Sequence, residues 1–224
     1  MAYYKDLRQL IAALDKRGLL IRVKRKINKD TELMPLVRWQ FRGLPEDQRK
    51  AFLFENVVDA KGKAYPIPVL VGAFAASREV YATALMCSKE EIYEKLVQSP
   101  RNRIQPVMVD RSKAPVKEEI HVGENLLAHG GFGEFPIPIS TPGYDPAPYI
   151  TSPCWVTKDP DSGIRNIGTY RTQIKSPTRT GVMVHPSQHI GIHWAKYKKL
   201  GIPMPAALVV GITPAVGIGS VTKY

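Results

Sequence analysis

The chain has 224 residues, of which 44% are hydrophobic and 23% charged, so it can bury a core as one large domain or two small ones. Its net charge of +12 comes from scattered Lys and Arg residues, a distribution that suits anionic small ligands and argues against a nucleic-acid module. The two distant cysteines exclude a disulfide framework, and the absence of a signal-peptide segment and of any membrane-length apolar run predicts a cytoplasmic protein without a membrane span.

The first segments of the chain show helical and strand patterns in alternation. Apolar residues at helical spacing predict a helix that ends at Gly18, followed by a short strand over 19–23. A second helix is predicted next, with Asp30 or Thr31 as its cap and Trp39 on its apolar face.

Two buried strands, 51–57 and 67–73, are predicted from apolar runs. Ser77 is expected to cap a helix, and a capping box at 88–91 to open another. A further strand is expected over 104–109. These elements predict an α/β (α+β) fold for an N-terminal domain, residues 1–114.

The composition changes at about residue 112, which places a second domain at 115–224. A strand is predicted at 118–123 and an irregular Gly- and Pro-rich loop at 126–148. The turn at 159–163 separates two alternating runs and predicts a β-hairpin. The remaining predicted elements are strands at 181–184 and 206–212 and a helix over 189–200 that ends at Gly201.

The hairpin and the helix after it carry the most informative polar residues. Strand alternation places Asn166, Gly168 and Tyr170 on one face and Ile167, Thr169 and Arg171 on the other. Gln188 and His189 begin the helix. A carboxamide, an imidazole and a guanidinium can together hold a metal, a phosphate and a carboxylate. This set predicts an enzyme that acts on acidic substrates with a phosphorylated cofactor.

Each of these residues also has a purely structural interpretation. His189 can be a capping or surface residue, with His193 one turn later forming only a weak metal-binding pattern. Arg171 can reach solvent or pair with a Glu, and Asn166 can be a turn residue. Ser220 can be a packing residue. If a metal is held by His and amide oxygens, the site suits Mg²⁺ or Mn²⁺ better than Zn²⁺.

Several separated motifs resemble those of UbiD-like decarboxylases. The most specific are the run Asn-Ile-Gly-Thr-Tyr-Arg-Thr-Gln at 166–173 and the run Gln-His-Ile-Gly-Ile-His at 188–193. The resemblance continues at 201–207 and 210–214, and the opening of the chain, at 6–8 and 53–57, is also similar. It covers nearly the whole chain in order.

The resemblance implies an N-terminal α/β domain followed by part of a split β-barrel flavin-binding domain. It implies reversible, non-oxidative decarboxylation of aromatic or α,β-unsaturated acids with prenylated FMN, whose phosphate is bound through a divalent metal, usually Mn²⁺, often with K⁺ nearby. Carried over by motif, Asn166 and His189 would be metal ligands. The residues that would line the cofactor are Asn166, Thr169, Tyr170, Arg171, Gln188, His189 and Ser220. Arg171 would also steer the substrate carboxylate, as the catalytic residue present in this chain.

The same resemblance implies partners: a small carboxylic acid as substrate, further copies of the chain in a dimer or larger homo-oligomer, and a flavin prenyltransferase that supplies the cofactor. Family members are longer, and their third metal ligand, a Glu, is expected beyond Tyr224. The chain is therefore expected to be the N-terminal portion of such an enzyme. The alternative is a non-catalytic accessory subunit, or one half-site of a split complex. The segment 140–145 replaces a stretch in which many members carry His and Gly-Gly, which leaves the substrate open.

Overall fold

A computed structural model describes residues 3–222; residues 1, 2, 223 and 224 of the two predicted domains lie outside the described residues. In the first half the helices and strands are α1 (Leu7–Lys16), β1 (Leu20–Val23), β2 (Ile27–Asn28), α2 (Leu33–Gly43), β3 (Ala51–Phe54), β4 (Val57–Val58), β5 (Ala64–Tyr65), β6 (Val69–Val71), α3 (Arg78–Leu85) and α4 (Ile92–Gln98). In the second half they are α5 (Glu124–Ala128), β7 (Tyr149–Ile150), β8 (Cys154–Lys158), β9 (Arg165–Thr169), β10 (Thr172–Ser176), β11 (Arg179–Val182), α6 (His189–Leu200), β12 (Ala206–Val209) and α7 (Pro214–Gly219).

Two small sheets form the first half. One has the order β1-β3-β6, with β1 parallel and β6 antiparallel to β3, and the other has the order β2-β4-β5. Leu10 and Leu14 of α1 pack with Val80 of α3 over the first sheet. All four residues of β3 are buried, as the apolar run predicts for a strand covered on both faces.

Local capping signals explain where several helices begin and end. The Ser77 hydroxyl accepts a hydrogen bond from the amide of Val80 at 3.3 Å, as predicted for the N-cap of α3. The predicted cap of α2 at Asp30 or Thr31 is wrong. The helix begins after Glu32, whose carboxylate accepts the amide of Asn28 at 2.8 Å.

Three further details of the first half differ from expectation. Trp39 is 75% exposed, so it does not belong to the apolar face of α2. The Ser88 amide donates to the Glu91 carboxylate at 2.8 Å, which is half of a capping box, but α4 begins only at Ile92 and makes no side-chain cap bond. Residues 104–109 form no strand, and Met108 is 87% exposed. A strand needs a neighbour to pair with, and Pro106 removes one donor from this segment.

The predicted strand at 118–123 is also absent: single 3₁₀ turns at Arg111–Lys113 and Pro115–Lys117 precede a short helix, α5. In the second half the predicted hairpin and the helix after it are confirmed, whereas the strand predicted at 181–184 lies at Arg179–Val182. Strands β8 and β9 pair as an antiparallel hairpin, and α6 spans the predicted residues and ends at Gly201, whose φ of 68° suits glycine.

The sheets of the second half have the orders β11-β10-β7 and β12-β8-β9, so β9 lies at a sheet edge. Strand β12 is shorter than predicted, and its first two residues are exposed. Mixed helices and small sheets confirm the predicted α/β (α+β) class. Within residues 3–222, no helix combines the length and apolar character required to cross a membrane.

Candidate functional site

The turn of the β8–β9 hairpin is built by one aspartate. Asp159 Oδ1 accepts the amide of Asp161 at 2.8 Å, and the Asp159 amide donates to the carbonyl of Ile164 at 2.9 Å. Gly163 has a φ of 72°, which a residue with a Cβ adopts only with strain. This turn fixes the register in which Thr157 lies opposite Asn166.

Helix α6 packs on the hairpin face that carries Asn166. Thr157 Oγ1 lies 2.9 Å from Nδ1 of His193, and Lys196 Nζ lies 2.7 Å from Oδ2 of Asp159 in the turn. The helix therefore runs toward the turn, in the direction of β8. His189 lies one helical turn (about 5.4 Å) before His193, so it is farther from the hairpin turn.

Asn166 holds an unsatisfied polar atom on this face. Its Nδ2 is buried and has no hydrogen-bond partner in the described part of the chain. Such an atom costs stability unless something else binds it. The two atoms of a terminal amide exchange places by a half-turn of χ2, which would put Oδ1, a metal-ligand oxygen, at the same position.

His189 and Gln188 stand at the start of α6. His189 is exposed, as the capping or surface interpretation also requires, and its imidazole is accessible to a ligand. Gln188 Oε1 accepts a hydrogen bond from the backbone amide of His185 at 2.8 Å, which fixes the backbone just before the helix. Its Nε2 group is the donor that a cofactor could use.

Tyr170 lies on the same face as Asn166, as strand alternation predicts. Its ring covers Gly168 so closely that a Cβ at Gly168 would come within 2.6 Å of the Tyr170 hydroxyl. Thr169 points to the opposite face. Its hydroxyl lies 2.7 Å from that of Ser220 and 3.6 Å from Sγ of Cys154.

The predicted cofactor residues thus divide between the two faces of an edge strand. Asn166, Tyr170 and helix α6 lie on one face, and Thr169 and Ser220 on the other. Ser220 also donates to the carbonyl of Gly217 at 2.7 Å, so it links the C-terminal helix to β9 as a packing residue would. A ligand that contacts both sets would have to cross the edge of β9.

Arg171 is exposed, as the interpretation in which it reaches solvent requires. The reason is that β9 ends at Thr169, so Arg171 lies beyond the last residue of the strand. Its guanidinium carbon lies 4.7 Å from the ring centroid of Tyr149, whose hydroxyl accepts a 2.8 Å bond from Gln173. No carboxylate within residues 3–222 forms an ion pair with Arg171, so its charge is available to an anionic ligand.

His193 is buried, and burial lowers its pKa below the usual 6.5. The neutral ring bonded to Thr157 is therefore a structural link between α6 and β8, which the helical spacing of two histidines does not reveal. Sequence reasoning also missed the proximity of His121, His129 and Glu134, because they belong to a loop whose shape no local pattern predicts.

The ion pair in the hairpin turn is expected to be acid-sensitive. The Lys196 ammonium and backbone amides lower the pKa of Asp159 from 3.8 to about 2. A carboxylate whose pKa is lowered by folding stabilises the protein fully when the pH is above its pKa in the unfolded state. This stabilisation is lost as the pH falls through its pKa in the folded state. We expect Asp159→Asn to be less stable than the wild type at neutral pH, and the difference to shrink between about pH 4 and pH 2. Urea denaturation across this pH range measures the stability difference. Asp161→Asn is the control and is expected to have a smaller effect. A stability difference that does not change with pH would contradict the prediction.

Gly191 permits the close approach of α6 to the segment before it. A Cβ at this buried position would collide with the backbone carbonyl of His185. We expect Gly191→Ala to lower the free energy of unfolding by about 1–3 kcal/mol, despite the better helix propensity of alanine. Gly43→Ala is the matched control, since no atom lies within 4 Å of its added Cβ. Urea denaturation compares the two variants, and a stabilised Gly191→Ala protein would refute the close approach.

Comparison with known proteins gives two family matches. Residues 11–99 match the 3-octaprenyl-4-hydroxybenzoate carboxy-lyase N-terminal domain, and residues 107–224 match the Rift-related domain of the same carboxy-lyases. An uncharacterised protein of Archaeoglobus fulgidus is 30% identical over 95% of this chain and 44% of its own length. A phenolic acid decarboxylase of Sedimentibacter hydroxybenzoicus is 28% identical over 95% of this chain and 44% of its own length.

Solved structures give the same result. An evolved dimeric form of the UbiD-class enzyme HmfF from Pelotomaculum thermopropionicum, in complex with prFMN, matches with a TM-score of 0.78 and 31% identity. The match covers 95% of this chain and 45% of that one. Vanillic acid decarboxylase (ShVdcCD) of Sedimentibacter hydroxybenzoicus in closed form matches with a TM-score of 0.81 and 27% identity, over 98% of this chain and 45% of that one. The chain thus spans less than half the length of these relatives.

Proposed function

Because this chain belongs to the UbiD family of carboxy-lyases, we propose that it forms the cofactor-binding part of a decarboxylase that acts on aromatic or α,β-unsaturated carboxylic acids with prenylated FMN. Relatives described as phenolic acid decarboxylases and the HmfF structure with prFMN support the reaction class and the flavin. The proposal extends to two domains, 1–114 and 115–224.

The observation that carries the proposal is the buried amide of Asn166. It faces α6, and its Nδ2 atom is buried without a partner among residues 3–222. Asn166 also lies opposite Thr157, which binds the helix one turn from His189. A single imidazole among oxygen ligands makes a harder site than two imidazoles do, so an amide oxygen with one imidazole fits the Mn²⁺ that the family implies. We propose Asn166 and His189 as its ligands, with the remaining ligands, including a Glu, supplied by polypeptide outside this chain.

When bound, prenylated FMN would supply the electron sink that decarboxylation requires. The residues of this chain would bind and orient. Tyr170, Gln188 and Thr169 would contact the cofactor, with Ser220 holding Thr169 through its 2.7 Å bond. Arg171, held over Tyr149, would bind the substrate carboxylate through parallel N–H donors. The net charge of +12 favours the approach of an anionic cofactor and an anionic acid.

A reconstitution experiment tests this function. The complete enzyme that contains this chain, as one polypeptide or several, is co-expressed with a flavin prenyltransferase and purified with Mn²⁺ and K⁺. We expect it to retain prenylated FMN and to release CO₂ from an aromatic or α,β-unsaturated acid. Absence of both flavin retention and CO₂ release in the metal-loaded protein would reject the assignment.

The alternative is an accessory subunit or half-site in a split complex. The vanillic acid decarboxylase ShVdcCD, also solved in open form with truncated ShVdcD, supports assembly from several components in one relative. The dimeric form of HmfF supports a homo-oligomer of two or more copies. Affinity purification from the native host distinguishes these arrangements: a split complex brings a second, Glu-bearing chain, whereas a homo-oligomer brings only further copies.

The two free cysteines support a reducing compartment such as the cytoplasm.

A further inference from the structure

Two imidazoles and one carboxylate meet in the loop before β7. One ligand atom from each of His121, His129 and Glu134 lies within 4.8 Å of the other two. His121 Nδ1 is 3.5 Å from Glu134 Oε2, and the two imidazole rings lie 3.6 Å apart between centroids with an angle of 21° between their planes. We propose that these three residues form a second divalent-metal site, of the kind that binds Zn²⁺.

The loop that carries two of these ligands is anchored on both sides. The Phe132 amide donates to the carbonyl of Pro177 at 2.8 Å, and Lys63 from the first half donates to the carbonyl of Gly133 at 2.6 Å. Gly131 has a φ of 55° and packs so closely on Pro177 that a Cβ does not fit. His129 follows α5 and donates its amide to the carbonyl of Asn125. The positions of His129 and Glu134 are therefore set by backbone contacts outside the cluster.

The donor set determines which metal is expected. Imidazole nitrogens favour Zn²⁺ and similar ions over Mg²⁺ and Mn²⁺. Zn²⁺ binds His and carboxylate ligands at about 2.0–2.2 Å, so tetrahedral donors lie roughly 3.3–3.6 Å apart. The separation of His121 and Glu134 already matches this distance. Because the lone pair of an imidazole nitrogen lies in the ring plane, the His129 side chain has to rotate out of the stacked arrangement before both rings can bind one ion. A water would complete four-coordination.

Two of the three proposed ligands are partly buried, whereas His129 is exposed. The side chains of His121 and Glu134 are 18% and 33% exposed. A metal would bind both neutral rings and the carboxylate together. The site shares no residue with the Asn166 and His189 pair, and it does not depend on the proposed decarboxylase function.

Metal titration of the tag-free, metal-stripped protein tests the proposal. Calorimetry of the His189→Ala variant, which lacks a proposed ligand of the harder site, is expected to show one equivalent of bound Zn²⁺. His121→Ala, His129→Ala and Glu134→Gln should each weaken Zn²⁺ binding by at least about tenfold. The matched controls Glu124→Gln, in the same segment, and His185→Ala should bind Zn²⁺ like the wild type. Loss of binding in His189→Ala instead, or unchanged binding in all three ligand variants, would overturn the site.

X-ray absorption on the wild-type protein provides a second measurement that does not depend on folded variants. The protein loaded with one equivalent of Zn²⁺ is expected to show scattering from two imidazole rings. Binding of Zn²⁺ is also expected to raise the melting temperature, since the ion would link the segment before α5 to the loop after it. Failure to bind one equivalent, or a spectrum with oxygen ligands alone, would refute the proposal.

Discussion

Replacing Asn166 with alanine is expected to abolish Mn²⁺-dependent retention of prenylated FMN by the complete enzyme. Removing a residue that only hydrogen-bonds to a metal ligand lowers metal affinity by roughly 10–100-fold. Removing a direct ligand should therefore lower metal affinity by at least about 100-fold. His189→Ala should give a loss of the same size, because both side chains are proposed to bind one ion. Flavin absorbance and bound Mn²⁺ after gel filtration measure the effect.

The same substitution should leave the ligand-free protein as stable as before, or more stable. The Nδ2 atom of Asn166 is buried without a partner among residues 3–222, and such an atom costs about 1–3 kcal/mol. An alanine removes this cost, although it also removes some packing. Most buried substitutions destabilise, so an unchanged melting temperature combined with lost flavin would mark Asn166 as a binding residue.

Asn166→Asp is the matched control, since its carboxylate oxygen can replace the amide oxygen as a ligand. We expect this variant to retain Mn²⁺ and flavin. If Asn166→Ala keeps the cofactor, Asn166 is not a ligand. If it loses stability and flavin together, its role is structural.

Replacing Arg171 with alanine is expected to lower kcat/KM for decarboxylation by about 10²–10³-fold, the cost of removing one partner from a hydrogen-bonded charge pair. Arg171→Lys should recover only part of this loss, because an ammonium cannot make two parallel bonds to a carboxylate. Steady-state decarboxylation by the complete enzyme measures both variants. Flavin retention should be affected much less than by the Asn166 substitution.

Two controls separate the role of Arg171 from general charge effects. Arg165→Ala removes an exposed guanidinium from the start of the same strand and should have little effect. Tyr149→Leu removes the ring beneath Arg171 and the hydroxyl bonded to Gln173. It should raise KM because Arg171 is less well positioned. Equal losses in Arg165→Ala and Arg171→Ala would show that only the total charge matters.

The sequence predicts those parts of the site that depend on neighbouring residues. Helix α6 begins at His189 and ends at Gly201 as expected, because its end signal lies within one turn of the helix. The β8–β9 hairpin forms around Asp159 for the same reason. Strand alternation also placed Tyr170 correctly on the face of Gly168, since the period of a strand is two residues.

Contacts between distant segments limited the remaining predictions. The run at 104–109 has the composition of a strand, but a strand forms only where another can pair with it. Arg171 lies beyond the end of β9 and over the ring of Tyr149, a contact that strand alternation does not predict. Neither the length of a strand nor the residue that contacts an exposed side chain can be predicted from the neighbouring residues in the sequence.

The sequence by itself determined the family, the mixed α/β class and the residues of the Asn166 and His189 motifs, because motifs and periodicity are properties of short segments. Only the tertiary structure showed which residues contact each face of β9 and which amide atom remains without a hydrogen bond. It also showed that His121, His129 and Glu134 lie together. These outcomes depend on long-range packing, in which the position of each segment is set by all the others at once.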